Sequence, residues 1–130
     1  MKESFTCIVI YDDPLFVKKM EAYIHQIDRL ELVATFTEPV KAAGTIIKAK
    51  PSLILLDLEM PHMNGYALID WLFPVMQIKG VRSHFVAISG NNLDDHHPML
   101  DQFLCHISKS TLDCHEDLNE KLLRHLPLSA

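Results

Sequence analysis

Short apolar runs alternate along this chain with stretches whose apolar residues recur every three or four positions. FTCIVIY at 5–11 has the continuous apolar character of a buried strand, and Pro14 just after it is placed to open a helix. Phe16, Met20, Ile24 and Ile27 then recur at helical spacing. LELVATF at 30–36 is rich in β-favouring residues and partly alternates, which predicts a second strand. Val40, Ala43, Gly44 and Ile47 predict a second helical stripe. SLILLD at 52–57 is a third strand, bounded by Pro51 and by MPHMNG. Leu68, Ile69, Leu72 and Met76 form a third stripe, which Pro74 is expected to end or kink. HFVAIS at 84–89 and FLCHIS at 103–108 predict the last two strands, with NNLDDHHPML between them allowing only a short, interrupted helix. Leu118, Leu122 and Leu126 make the final stripe.

Strand and helix thus alternate five times. That pattern implies a parallel sheet with helices on both faces, because runs as aliphatic as Leu53–Leu56 need cover on each side. Right-handed crossovers make such a sheet doubly wound. Its ligand chemistry gathers at the carboxyl ends of the strands. With 130 residues and no linker or repeat, the chain is expected to be one domain spanning 1–130.

Composition narrows the function. Hydrophobic residues make up 48% and charged residues 22%, as in a globular domain, and the formal net charge is −5. That acidic balance argues against direct nucleic-acid binding. No apolar run approaches the roughly 18 residues of a membrane span. The opening MKESFTCIVIYDD lacks the apolar region of a secretory signal, so a cytoplasmic location and no membrane contact are expected. Cys7, Cys105 and Cys114 are too few and irregular for a disulfide framework, and their spacing with His106 and His115 matches no common zinc pattern. Cys7 and Cys105 read as buried small hydrophobes.

The chemistry lies at the strand ends. Strand one ends in Tyr11-Asp12-Asp13, strand three in Asp57, strand four in Ser89-Gly90-Asn91 and strand five in Ser108-Lys109-Ser110. A parallel sheet brings these ends to one rim, where Asp57 is expected to be reachable. Clustered carboxylates repel one another and so suit a hard divalent cation, Mg²⁺ above all. One of them can act as nucleophile toward a phosphoryl group. Lys109 and Ser89 are chemically suited to bind the oxygens of that group. Taken singly, each residue has a plainer role: acids cap helices, Ser-Gly makes a turn, a lysine sits in solvent, and Asn64-Gly65 lets the chain turn into a helix.

Taken together and in this order, the acids at 12–13, Asp57 with Met60-Pro61 and Asn64-Gly65 behind it, Ser89-Gly90 and Lys109 closely resemble the receiver domain of two-component response regulators, the chemotaxis-type fold. The resemblance covers essentially the whole chain. The spacing from Asp57 and the stretch PLFVKKMEAYIHQIDRLELVATF look most like receivers of the LytTR class, which usually carry a DNA-binding output domain. None follows within these 130 residues. The resemblance implies a five-stranded (βα)5 sheet in the flavodoxin-like order 2-1-3-4-5. It makes Asp57 the phosphoacceptor, and Asp12, Asp13, Asp57 and the backbone carbonyl of Glu59 the Mg²⁺ ligands. Ser89 becomes the switch hydroxyl, Lys109 the phosphate-pairing lysine, and His106 takes the place of a rotating aromatic. Glu59 and Asn91 would set the lifetime of the phosphoryl group.

The implied partners are a sensor histidine kinase or phosphotransfer protein, an output domain beyond this chain, and a second copy through the face of the fourth helix, fifth strand and fifth helix. Such a chain receives phosphate and is not a dedicated enzyme.

Four places differ from the family's usual pattern, one of them Gln102-Phe103, where small residues usually precede strand five. If Pro14 anchors the alignment, Tyr11 stands in the first acidic place and Asp12 becomes the direct metal ligand. If the acid pair anchors it, Asp12 and Asp13 are the usual pair and Pro14 comes one residue early. The helical pattern after Pro14 favours the former. Ser110 follows Lys109 where a proline is usual, and His106 replaces Tyr or Phe. These differences support an alternative, a degenerate receiver acting as a phosphorylation-independent interaction module. An aspartyl-nucleophile phosphatase of the haloacid-dehalogenase kind fits less well, since Glu59 stands where its second aspartate would be.

Overall fold

Alternation along each strand sorts its side chains onto two faces, and two separate cores result. The computed structural model of the protein describes residues 4–60, 63–90 and 103–125. Five strands, β1 (Phe5–Ile10), β2 (Leu30–Phe36), β3 (Leu53–Asp57), β4 (His84–Ser89) and β5 (Phe103–Ser108), form one sheet in the order 2-1-3-4-5. Every neighbouring pair is parallel. Among the described residues the helices are α1 (Pro14–His25), α2 (Pro39–Ala49), α3 (Gly65–Lys79) and α4 (His115–Leu123), with a 3-10 turn over Lys109–Thr111. This is the doubly wound, flavodoxin-like sheet expected from the alternation. The segment between β4 and β5 in which a short helix is predicted lies outside the described residues, as do Asn91 and Leu126.

On one face Cys7 and Val9 of β1, Leu53 and Leu55 of β3, and Val86 and Ile88 of β4 pack under α1 and α4. On the other, Ile8, Ile10, Ile54 and Leu56 pack under α2 and α3. The odd and even positions of one apolar run therefore feed two cores, which is why β3 has no polar residue before Asp57.

Two expectations need correction, and the one at Pro74 is narrowed. The buried seam of α2 is Ala42 and Ile46, whereas Val40 is 56% exposed and Gly44 is also exposed. Ala43 and Ile47 flank the seam, so the stripe is rotated by about one residue from the one the spacing suggested. Pro74 does not end α3, which runs on to Lys79. Pro74 and Asp70, whose carbonyl loses its helical donor, both lie on the exposed side, where water can satisfy that carbonyl. Cys105 is only partly buried, because β5 is an edge strand, while Cys7 is fully enclosed. Burial pushes the Cys7 thiol up to about 12 and that of Cys105 up to about 11, which makes both weak nucleophiles.

Candidate functional site

Parallel register sets the rim. Asp57 pairs with Ile88, and Ser89 pairs with Ser108, so Asp57, Ser89 and Lys109 come from three adjacent strand ends. On the other side of β3, Ile10 pairs with Leu56, which brings the residues after β1 beside Asp57. The Tyr11 amide still bonds to the Phe36 carbonyl at 3.0 Å, and the chain then breaks away into α1.

Asp57 lies deeper than the sequence suggests, with only 3% of its surface exposed. Leu58 and Met60 just after it are also buried, and the Leu58 amide reaches the Ile88 carbonyl at 3.4 Å, so the chain stays against the sheet past the end of β3. The Asp57 Oδ1 accepts a hydrogen bond from the Glu59 backbone N–H at 2.9 Å, which fixes the carboxylate's orientation. Its pKa is pushed from an ordinary 3.8 up to about 6. Burial is the main cause; a shared hydrogen bond with the Asp12 carboxyl and the charges of Asp12 and Glu59 add to it, against the lowering effect of the Glu59 N–H.

The two acids of the β1 end part company. Asp12 is exposed and faces Asp57. Asp13 caps α1, its Oδ1 accepting from the Leu15 N–H at 3.0 Å, with Pro14 as the first helical residue. Its other oxygen lies 4.0 Å from the Lys109 Nζ. The loop behind Asp57 turns on Asn64, whose Oδ1 accepts from the Ala67 N–H at 2.8 Å and caps α3. Pro61 lies outside the described residues.

Lys109 opens the 3-10 turn. Its ammonium sits 4.7 Å from the centre of the Phe16 ring and 5.3 Å from that of Tyr11. Where the family usually has proline, the Ser110 hydroxyl lies 3.0 Å from that of Ser108, and the Thr111 hydroxyl donates to the Ser108 carbonyl at 2.7 Å. Hydroxyl bonds thus shape the turn in this chain. Ser89 is buried beside Asp57's strand. Glu59 is exposed at the rim. His106 stands on β5 opposite Ala87, away from the acids, and lines a small cavity of about 110 Å³ with Cys105, Lys121 and His125.

No group of three or more His, Cys, Asp or Glu side chains among the described residues is arranged to hold a metal ion. Of the acids expected as donors, Asp12 faces Asp57, while Asp13 caps α1 and lies 4.0 Å from Lys109. Two coupled carboxylates still suit Mg²⁺, which keeps several waters and takes only one or two from the protein.

Comparison with known proteins settles the family. The response regulator receiver domain model matches residues 7–102. The chain belongs to this family. Among its relatives, a protein-glutamate methylesterase/protein-glutamine glutaminase 2 of Vibrio vulnificus is 29% identical over 89 residues, 65% of this chain and 26% of that protein. The transcriptional regulatory protein BtsR of Escherichia coli K12 is 24% identical over 67 residues, 52% of this chain and 28% of that protein. The matches thus span little more than a quarter of the length of these curated relatives. The receiver domain of the histidine kinase CKI1 from Arabidopsis thaliana, solved in complex with Mg²⁺, superposes with a TM-score of 0.78 at 16% identity, over 96% of this chain and 93% of that one. Receiver domains of this family bind Mg²⁺ at their acidic pocket and work with histidine kinases and output domains.

Sequence reasoning missed two features. The rings of Tyr11 and Phe16 under Lys109 come from a strand end, a helix and a turn, and no local spacing announces them. The close approach of Gly65 to the β3 end was visible only as an Asn-Gly turn signal.

Proposed function

We propose that this receiver domain accepts a phosphoryl group on Asp57 from the phosphohistidine of a sensor kinase or phosphotransfer protein, or from a small acyl phosphate. The observation that carries the reading is the buried Asp57 carboxylate, oriented by the Glu59 N–H and facing Asp12 at the end of the central strand. A free Asp57 oxygen attacks phosphorus in line. The bond from phosphorus to the donor's imidazole nitrogen or acyl oxygen breaks, and the leaving group departs with that electron pair. Asp57, Asp12 and the Glu59 carbonyl would hold Mg²⁺, which when bound neutralises the acids and the phosphoryl oxygens. Ser89 donates to a phosphoryl oxygen, and Lys109 pairs with another. Glu59 would govern access of the water that hydrolyses it, a role that the family resemblance also gives to Asn91.

The modification adds about −1.5 to −2 charges to the rim. Movement of Ser89 and Lys109 toward that charge passes to β5, His106 and α4, the surface on which a second copy or an output domain is read. Relatives named as a methylesterase and as a transcriptional regulatory protein support reading the domain as a switch that serves different outputs. A cytoplasmic site of action follows from the kinase partner; no helix among the described residues is long and apolar enough to cross a membrane.

One observation favours the alternative of a phosphorylation-independent interaction module. Lys109 rests against Asp13 and two rings, and Asp13 is the sole carboxylate among the described residues within 4.0 Å of it. Incubation with acetyl phosphate and Mg²⁺ followed by intact mass separates the two. A single phosphoryl increment that is absent in Asp57→Asn supports the switch. No increment at any Mg²⁺ concentration leaves the interaction module.

A further inference from the structure

Lys109 is held by an arrangement that depends on Tyr11, one of the residues at which this chain differs from its family's usual pattern. Tyr11 is 5% exposed, and its ring centre lies 4.2 Å from that of Phe16 at an interplanar angle of 44°. Both rings belong to the core beneath α1, so neither is free to swing away. The ammonium of Lys109 sits over both ring faces. Burial, and then the charges of Asp57, Asp12, Asp13 and Glu59, push the Tyr11 hydroxyl pKa upward, so the ring is neutral and attracts the cation through its face. The Asp13 carboxylate, at 4.0 Å, is the third attraction.

We propose that Tyr11 and Phe16 form an aromatic seat that holds Lys109 away from Asp57 in the resting protein, and that Tyr11 is a positioning residue for phosphorylation. The proposal rests on the reading of Asp57 as phosphoacceptor. An acid in place of Tyr11 would hold the lysine by charge and would itself be neutralised beside a bound cation. A ring holds it by its quadrupole, which a cation at Asp12 and Asp57 does not cancel. To pair with a phosphorylated Asp57, Lys109 has to leave both rings. The seat is therefore a resistance to phosphorylation built into the resting state, and removing one ring lowers it.

Two readouts test the seat separately from the chemistry. Lysine methylene protons over a ring face are shifted upfield. In NMR spectra of lysine-labelled protein, assigned through Lys109→Met, the Lys109 signals are expected upfield in the wild type. They stay there in Tyr11→Phe and return toward free-lysine positions in Tyr11→Leu. Adding Mg²⁺ with beryllium fluoride, an analogue of the phosphoryl group, moves them downfield in the wild type.

In the acetyl phosphate reaction, Tyr11→Leu is expected to be phosphorylated about two- to five-fold faster than the wild type, the range of one cation–π contact. Tyr11→Phe restores the wild-type rate, and Phe16→Leu, a second route should Tyr11→Leu fold poorly, accelerates in the same sense. Lys109 signals at free-lysine positions in the wild type overturn the seat. Shielded signals with no acceleration in either leucine variant overturn its role alone. A wild type that takes up no phosphoryl group overturns the reading of Asp57, and the seat's role with it.

Discussion

β3 and β5 deliver the two oppositely charged groups of the site, and they hold them by different means. Every residue of β3 is buried, with Leu53 to Leu56 at 0% exposure, and the strand is paired on both sides. β5 pairs on one side only, and of its residues Ile107 alone is buried. Asp57 is consequently fixed by the backbone of three strands and by the Glu59 N–H. Lys109 is fixed by side chains, namely two rings and one carboxylate. The sheet sets where the acid is, while removable contacts set where the lysine is. A site of this kind can keep its acid constant and change its resting state by substitution at the edge.

The largest effect that could break this contrast is on stability. Leu55→Ala deletes a fully enclosed side chain from the central strand and is expected to cost about 2–5 kcal/mol in urea unfolding. Cys105→Ala on the partly exposed edge strand should cost under about 1 kcal/mol. Equal losses at the two positions would mean that β5 is as firmly held as β3.

Asp57 supplies the next test. Its folded pKa of about 6 lies above the unfolded value near 3.9, so the native state is favoured most when Asp57 is protonated. That contribution is complete below about pH 4 and is lost as pH rises through about 6. In Mg²⁺-free buffer Asp57→Asn should therefore be the more stable protein at pH 7.5, by about 2–3 kcal/mol, and the advantage should vanish near pH 4. The Asn amide oxygen can still accept from the Glu59 N–H. A wild type that matches the variant in stability at pH 7.5 would show that the rim leaves Asp57 solvated.

What was legible in the sequence follows the same division. The aliphatic positions of β3 were readable because burial on both faces demands an unbroken apolar run, and the other strands because β-favouring runs alternate with helical stripes. The chemistry of the rim was readable because strand ends of a parallel sheet converge whatever joins them. The α2 seam was misplaced because Val40, Ala43 and Ile47 sit at helical spacing as well as Ala42 and Ile46 do, and only the packed structure shows which side meets the sheet. The sequence left open whether Pro74 ends or kinks its helix, because the cost of a proline depends on whether the orphaned carbonyl faces water. The depth of Asp57 and the seat of Lys109 depend on contacts among β1, α1, β3 and the turn after β5, and such long-range contacts leave no local pattern.

The smallest effects separate two glycines that the sequence presents alike. A Cβ added at Gly65 would lie 2.8 Å from the Asp57 carbonyl oxygen and 3.1 Å from the Leu58 Cα, both backbone atoms that cannot turn aside. The Gly65 N–H also donates to the Leu58 carbonyl at 3.2 Å, so helix and strand end are tied where they touch. Gly65→Ala must push α3 from the end of β3, at a cost of about 1–3 kcal/mol typical of overpacking. Because the displaced backbone carries Asp57, the variant should also be phosphorylated more slowly by acetyl phosphate. Gly44 lies inside α2 with nothing within 4 Å of the added carbon, so Gly44→Ala should stabilise the protein by about 1 kcal/mol through helix propensity alone. It should leave the phosphorylation rate unchanged, since Gly44 lies in the middle of α2, away from the end that meets Asp12, and the helix holds none of the site's charged groups. Thermal unfolding of the pair reads both signs, and a loss of stability in Gly44→Ala would show that the exposed side of α2 is covered in solution.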